Sequence, residues 1–277
     1  MGVRVAYPGG EGAHAAAACD KLFPEDAELV ALPTFAAVAR SVVEDEVDWG
    51  VLGIESSLAG PVAETHDLLY DLPITITAQT VIPIKHCLVG IERVPLEKIR
   101  IVRSHPAALE ACREFLTRLP NATAIAAATT SGAAHQVASD KDPAEVAIAS
   151  ERAARTEGLH ILQEDIGDHP EAFTRFVAVA THTRLDRTDE GQEWRMAFSF
   201  VTDHRPGALF RALEPFARHS IDLAQLVSRP IPRTPWVYRF DAVLAGYPLD
   251  PLVNETLHEV IDLTRELRVF GSYPVEG

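Results

Sequence analysis

The chain has 277 residues, 47% apolar and 23% charged, a composition that buries one or two sizeable cores and excludes a disordered or fibrous protein. Its formal net charge of −15 argues against nucleic acid as a partner, and any anionic ligand must be drawn by a few local donors against the overall field. Cys19, Cys87 and Cys112 form no CxxC pair or metal-ligand spacing, residues 1–8 lack the basic and apolar segments of a signal peptide, and no run approaches the ~18 apolar residues of a membrane span, so a cytoplasmic protein with reduced thiols, no metal and no membrane partner is expected.

Residues 3–7 read as a short buried strand, Pro8-Gly9-Gly10-Glu11-Gly12 as a loop and residues 13–22 as an alanine-rich helix. Such a loop can aim backbone N–H groups and a helix N-terminus at an anion, or it can be a glycine turn without a ligand. Neither Gly-x-Gly-x-x-Gly nor a Gly-Lys-Ser motif is present to mark a nucleotide site. Thr34 is placed to cap a helix running to about residue 46, with Glu44-Asp45-Glu46 as its solvated end. Residues 49–55 form the next apolar strand. Its exit, Glu55-Ser56-Ser57 before Leu58-Ala59-Gly60, either offers a carboxylate and two hydroxyls at the carboxyl end of a strand, where open α/β sheets bind ligands, or makes a turn capped by its own serines. The strands expected within residues 100–105, 122–131 and 147–150 also end in hydroxyl residues, namely Ser104 before His105-Pro106, Thr129-Thr130-Ser131, and Ser150. Alternating strands and helices to about residue 165 point to a mostly parallel α/β architecture.

Phe173-Thr174-Arg175-Phe176 then opens an extended run to Thr181. In extended backbone Thr174 and Phe176 share one face while Arg175 leaves from the other. The polar residues 184–193 (RLDRTDEGQE) read as a linker. Beyond them come a strand at 194–203, a helix at 207–219, strands at 221–229 and 235–245, a helix at 250–265 and a strand at 267–273, the βαββαβ order of a ferredoxin-like split unit. Three histidines stand apart. His14 is either a base or a solvated helix-start residue, His86 in an apolar strand is expected to be packed in the core, and His105 either orients a ligand or satisfies a turn. No Ser/His/Asp spacing suggests a hydrolase triad.

Taken in chain order, these segments resemble the prephenate dehydratase family with its C-terminal ACT regulatory domain. Gly10-Glu11-Gly12-Ala13 resembles the family's first loop, Gly53-Ile54-Glu55-Ser56-Ser57 its Pro-Ile-Glu-Asn-Ser, and Glu64-Thr65-His66-Asp67-Leu68-Leu69 its Glu-Thr-x-Asp-Leu-Leu. Ile84-Lys85-His86-Cys87-Leu88 is similar to the strand that follows, Ser104-His105-Pro106 with Ala108-Leu109 matches Ser-His-Pro-x-Ala-Leu, and Thr129-Thr130-Ser131 takes the place of Ser-Thr-Ala. Thr174-Arg175-Phe176 matches Thr-Arg-Phe in full, and Gly207-Ala208-Leu209 and Ser228-Arg229-Pro230 resemble the segments that frame a phenylalanine effector site.

The resemblance implies a bilobed α/β catalytic domain, similar to periplasmic binding proteins, over residues 1–183 with its site in the cleft between lobes. A linker at 184–193 and a ferredoxin-like ACT domain at 194–277 follow, in a homodimer or homotetramer. It implies conversion of prephenate to phenylpyruvate with no metal or organic cofactor. Thr174 is then the hydrogen-bond donor to the leaving hydroxyl and Phe176 excludes water, while Arg175 meets a substrate carboxylate or fixes the lobe from the other strand face. Substrate contacts fall to Gly12, Ala13, His14, Glu55, Ser56, Ser57, Gly60, Ser104, His105, Thr129, Thr130 and Ser131. An L-phenylalanine effector falls to Gly207, Ala208, Leu209, Ser228, Arg229 and Pro230, with Arg229 either on its carboxylate or serving as an interface charge.

The chain also departs from the pattern. His14-Ala15 stand where the family has a hydroxyl and an aromatic residue, Gly53 and Ser56 replace Pro and Asn, and Ala172 replaces an Asn. Val227 replaces the Glu of Glu-Ser-Arg-Pro, and Asp222-Leu223-Ala224 replaces Asn-Leu-Thr. A pocket that exchanges polar anchors can change its chemistry, and a fold does not fix a function. A non-aromatising prephenate decarboxylase and a non-catalytic ligand sensor are therefore the other readings.

Overall fold

The first apolar run becomes β1 (Arg4–Pro8), whose Val5, Ala6 and Tyr7 are buried, and the glycine loop hands the chain to α1 (His14–Leu22). In this computed structural model, which describes residues 2–182, 193–231 and 234–275, β2 (Glu28–Leu32), α2 (Phe35–Val43) and β3 (Trp49–Ser56) follow. Thr34 Oγ1 accepts from the Ala37 N–H and caps α2 as expected. The helix ends before residue 46 because Asp45 turns left-handed, at φ 56°, and Glu44-Asp45-Glu46 are exposed.

After the two-residue strand β4 (Gly60–Pro61) come α3 (Ala63–Asp71) and β5 (Thr75–Pro83). The chain then crosses to a second lobe made of β6 (Cys87–Gly90), β7 (Ile101–Ser104), α4 (Pro106–Ala111), α5 (Arg113–Leu116), β8 (Thr123–Ala126), α6 (Thr130–Asp140), β9 (Glu145–Ala149), α7 (Glu151–Thr156) and β10 (His160–Gln163). It returns through β11 (Phe173–Ala180), which inserts between β3 and β5. The first sheet has the order β2-β1-β3-β11-β5 with β4 on β3, and the second β10-β6-β9-β7-β8.

Both sheets are mixed, which corrects the expectation of mostly parallel pairing. β1 runs parallel to β2 and β3, and β7 to β8 and β9. β11 is antiparallel to β3 and β5, and β6 is antiparallel to β9 and β10. The cause is the double crossing between lobes. β11 re-enters the first sheet at the rim where β3 exits, with Thr174 opposite Ser56 and Phe173 opposite Pro83, so it can only run back against both neighbours.

The remainder folds as β12 (Trp194–Val201), α8 (Ala208–Arg218), β13 (Leu223–Pro230), β14 (Tyr238–Ala245), α9 (Pro251–Leu263) and β15 (Glu266–Pro274). The βαββαβ order holds, in an antiparallel sheet ordered β13-β14-β12-β15. Phe198, Phe200, Phe216, Leu257 and Val260 fill the layer between this sheet and its helices. Its other side joins the first sheet, where Ile76, Val177 and Val179 share one core with Ala197, Val243, Phe270 and Tyr273. There the backbones nearly touch. Gly271 sits at φ +143°, and a Cβ on it would lie 2.1 Å from the Ile76 carbonyl oxygen, which only glycine avoids. The linker expected at 184–193 lies outside the described residues except for Glu193. Among the described residues no helix is long and apolar enough to cross a membrane.

A charge network centred on the buried Arg239 and Asp241 closes the same junction. Arg239, fully buried, donates from Nε to Asp241 Oδ1 at 3.1 Å and from Nη2 to Asp67 Oδ1 at 2.7 Å, and its guanidinium lies 4.4 Å from the centre of the Tyr70 ring. Asp67 also accepts from Arg229 Nη2 at 2.7 Å, and Asp241 meets His66 Nδ1 at 3.1 Å. Burial alone raises the Asp67 carboxyl, but the hydrogen bonds from Arg229 and Arg239 outweigh it and hold the group below its ordinary value. The Glu64-Thr65-His66-Asp67-Leu68-Leu69 segment thus docks the C-terminal unit. Its Thr65 hydroxyl, which donates to the Gly53 carbonyl at 2.6 Å, anchors α3 to β3.

Candidate active site

A cavity of about 420 Å³ opens between the first two sheets, where the ends of β1, β3 and β5 and the start of β11 meet the helix starts of the second lobe. Its volume suits a small ligand. Ala13, His14, Ser56, His105, Thr129, Thr130, Ser131, Thr174 and Phe176 all line it, as do His86 and Ala172. Alternation along β11 sets the two most telling side chains on one face. A Cβ built on Gly53 would meet Phe176 Cε1 at 3.5 Å and Thr174 Cγ2 at 3.7 Å. The Phe176 ring, 5% exposed, closes the floor. A bulge in β3, which leaves Arg175 opposite Glu55 but Phe176 opposite Gly53, bends this rim.

No Asp, Glu, Lys or Arg is among the residues lining the cavity. Binding of an anion therefore falls to neutral donors and helix ends. The first N–H groups of a helix have no intrahelical partner, and the residue before α1 is Ala13, which supplies no side-chain cap. At α6, Thr129 Oγ1 accepts from the Gly132 N–H at 2.9 Å, and Thr130 and Ser131, whose N–H groups have no intrahelical partner, line the cavity. The two lobes touch across the cleft through the Gly10 N–H, which donates to Ser131 Oγ at 3.2 Å.

His14 and His86 are held in the neutral form near pH 7. His14 and His86 meet edge to face with centroids 6.1 Å apart. Burial holds His14 below its ordinary value, with the Lys85 backbone opposing, and burial, joined by repulsion from His14 once that ring takes up a proton, pushes His86 down to about 4. His86 is buried as expected but stands just before β6, in the crossing between lobes, and faces the cavity. Because the folded state holds this proton more weakly than the unfolded chain, whose histidine titrates near 6.5, acidification from pH 6.5 to about 4 favours unfolding. The loss is roughly 3 kcal/mol, at about 1.4 kcal/mol per pH unit, and the contribution is constant above pH 6.5. A His86→Gln variant is expected to lose that part of the slope, read from urea midpoints between pH 4 and 7; an unchanged slope would assign it elsewhere.

Several residues expected at the site are not among those lining the cavity, and their contacts in the structure are with the frame. Ser104 is fully buried and donates to the Ile148 carbonyl at 2.6 Å. Ser57 Oγ accepts from the Phe173 N–H at 2.9 Å and locks β3 to β11. Gly60, the first residue of β4, lies at φ +76° opposite Ser56. The Gly12 carbonyl accepts from Ser150 Oγ at 2.6 Å, and a Cβ on Gly12 would stand 2.3 Å from Ala153 Cα, so contact between lobes demands this glycine. Glu55 and Arg175 pair on the far face of the sheet, Nη1 to Oε2 at 2.6 Å. Ser56 combines both readings of its turn, since it lines the cavity while its Oγ accepts from the Leu58 and Ala59 N–H groups at 3.3 Å. His105 likewise lines the cavity and caps α4 through Nδ1, at 3.2 Å from the Ala107 N–H.

The two segments expected at an effector site face different surroundings in one chain. Ala208 and Leu209 follow Gly207, at φ +78°, and line a 340 Å³ depression with Thr202, Asp203, His204, Arg205 and Pro206. Ser228, Arg229 and Pro230 end β13, and Arg229 is engaged by Asp67 and the Ala63 carbonyl.

Residues 5–184 match the family model for prephenate dehydratase. Over 283 residues the chain is 34% identical to arogenate dehydratase/prephenate dehydratase 2, chloroplastic, of Arabidopsis thaliana, an alignment that covers 99% of this chain and 73% of the relative. The solved structure of prephenate dehydratase from Arthrobacter aurescens, in complex with L-Phe, superposes with a TM-score of 0.88 at 29% identity, covering 98% of this chain and 90% of that one. A second solved structure, GqqA, a novel type of quorum quenching acylase, superposes with a TM-score of 0.86 at 27% identity, covering 99% and 98%. With Thr174, Phe176 and the hydroxyl-rich ends of the strands gathered around one cleft, and with matches of this extent, the chain belongs to the prephenate dehydratase family.

Proposed function

We propose that the protein converts prephenate to phenylpyruvate, and the observation that carries this reading is the Thr174 side chain at the rim of a cleft that is closed by Phe176 and lined by no Asp, Glu, Lys or Arg. The reaction consumes the prephenate dianion and one proton and yields phenylpyruvate, CO2 and water. The electron pair of the bond to the ring carboxylate moves into the ring, the double bonds shift, and the C4 oxygen leaves as water once it has gained a proton. Aromatisation supplies the driving force, so the protein has to orient the dianion and assist the departing oxygen. A threonine hydroxyl is a weak acid, and Thr174 acts as a donor or relay to that oxygen. The helix N-termini of α1 and α6 hold the carboxylates. The dry floor formed by Phe176 keeps these neutral dipoles effective.

The cavity also favours prephenate over arogenate. Arogenate carries an ammonium where prephenate has a ketone, and no carboxylate lines the cavity to receive it. The expected result is a kcat/KM for prephenate at least about tenfold above that for arogenate, measured side by side with one preparation. A preference for arogenate, which the Arabidopsis relative's name also includes, overturns the substrate assignment. Acyl transfer by a serine–histidine pair has less support: among the described residues the histidines that meet a hydroxyl are His182, on Thr181, and His219, on Thr256, both away from the cleft.

In this reading residues 1–183 form the catalytic domain and residues 194–277 an ACT regulatory domain in a cytoplasmic homodimer or homotetramer. L-phenylalanine is the effector, at residues 207–209 and 228–230. The L-Phe complex of the Arthrobacter relative supports the effector.

A further inference from the structure

The face of β11 turned away from the cleft is held by the C-terminal unit. Arg175 Nη1 donates to Glu55 Oε2 at 2.6 Å, and the other oxygen of the same carboxylate, Oε1, accepts from Gln225 Nε2 on β13 at 3.0 Å. Arg175 and Glu55 are 28% exposed at the side chain, so water screens the pair only in part. Beneath them Tyr273 of β15 is 3% exposed, and burial drives its phenol up to about 12 while Arg175 and Arg195 pull it down and Glu55 adds to the rise. Gln225 and Arg229, four residues apart on β13, share a strand face, and each is tied to the first lobe, Gln225 to Glu55 and Arg229 to Asp67.

The reach of this contact follows from strand geometry. Thr174 and Arg175 are consecutive in β11, so a shift in where the Arg175 side chain is anchored tilts the backbone that aims Thr174 into the cavity on the opposite face. The bulge opposite Arg175 and Phe176 interrupts the regular ladder at this point, which leaves side-chain contacts a larger share in fixing the rim.

We propose that Gln225 is a positioning residue for the reaction, acting through Glu55 and Arg175 to set the placement of Thr174 from a strand that never enters the cleft. The amide contributes one hydrogen bond to a charged acceptor, and its removal frees Glu55 to follow Arg175 into other rotamers. A lysine at the same position can donate to the same oxygen, whereas leucine keeps the bulk and loses the donor.

The inference rests on the dehydratase reading for its kinetic readout, so the test adds one that needs no turnover. Wild type, Gln225→Leu and Gln225→Lys are compared for kcat and KM on prephenate, for thermal midpoint, and for amide hydrogen exchange of the segment spanning residues 173–177. In Gln225→Leu, kcat is expected to fall about tenfold with KM changed by less than about twofold, and exchange of the segment to speed up about tenfold, while Gln225→Lys restores both. Unchanged exchange and unchanged kcat in Gln225→Leu overturn the proposal. So does a lowered kcat that lysine does not rescue and that tracks a general loss of thermal stability. If the wild type makes no phenylpyruvate the dehydratase reading fails, and the exchange comparison alone decides whether Gln225 holds the strand.

Discussion

Replacing Thr174 with valine is expected to lower kcat on prephenate by about 10²–10⁴, the usual contribution of a positioned proton donor, with a much smaller change in KM. Valine keeps the branched shape over Gly53, where the Thr174 methyl carbon lies 3.7 Å from a Cβ built on the glycine, and removes only the hydroxyl. Strand pairing with Ser56 and Ile82 uses backbone alone, so the fold is untouched. Thr174→Ser keeps the donor and is expected to stay within about tenfold of wild type. Steady-state rates on the three proteins check this. A Thr174→Val enzyme that turns over at the wild-type rate removes the donor from the mechanism.

The largest loss of stability is expected from Asp241→Ala. Asp241 is 3% exposed and is shared by Arg239, which is fully buried, and His66, which is 4% exposed. Alanine leaves a buried guanidinium that already has one unpartnered nitrogen, Nη1, with Asp67 as its one remaining anion among these contacts. Stranding one partner of a buried pair costs about 3–5 kcal/mol. Replacing both charges, as in Asp241→Leu with Arg239→Met, is expected to cost less than the single change, because it removes the need for solvation along with the pair. Urea unfolding of the two variants tests the order. A single variant as stable as wild type contradicts the view that this network docks the C-terminal unit.

Features that depend on local backbone are legible in the sequence. The shared face of Thr174 and Phe176 follows from the two-residue repeat of a strand, and the βαββαβ order of the C-terminal unit from runs separated by turns. The Thr34 cap rests on a contact three residues away. What stayed hidden depends on partners distant in sequence. Gly12 answers to Ser150 and Ala153, Ser104 to Ile148, and Ser57 to Phe173, so the contacts that these expected donors make within the chain are to the frame.

The same applies to pairing direction and to docking. Mixed sheets arise because the chain visits the second lobe and returns, which no window of residues records. The role of Asp67 depends on Arg229 and Arg239, beyond the linker segment. One signal was present: Arg239 and Asp241 stand two apart in the apolar run YRFDAVLA, and opposite charges on one strand face in such a run mark a buried pair.

The most direct test of the account is the mass of the product formed when the purified protein is incubated with prephenate at neutral pH, with a protein-free control for spontaneous conversion. The account predicts a product that has lost both CO2 and the elements of water, formed faster than in the control. A product that has lost CO2 but kept the elements of water, or no product above the control, contradicts it.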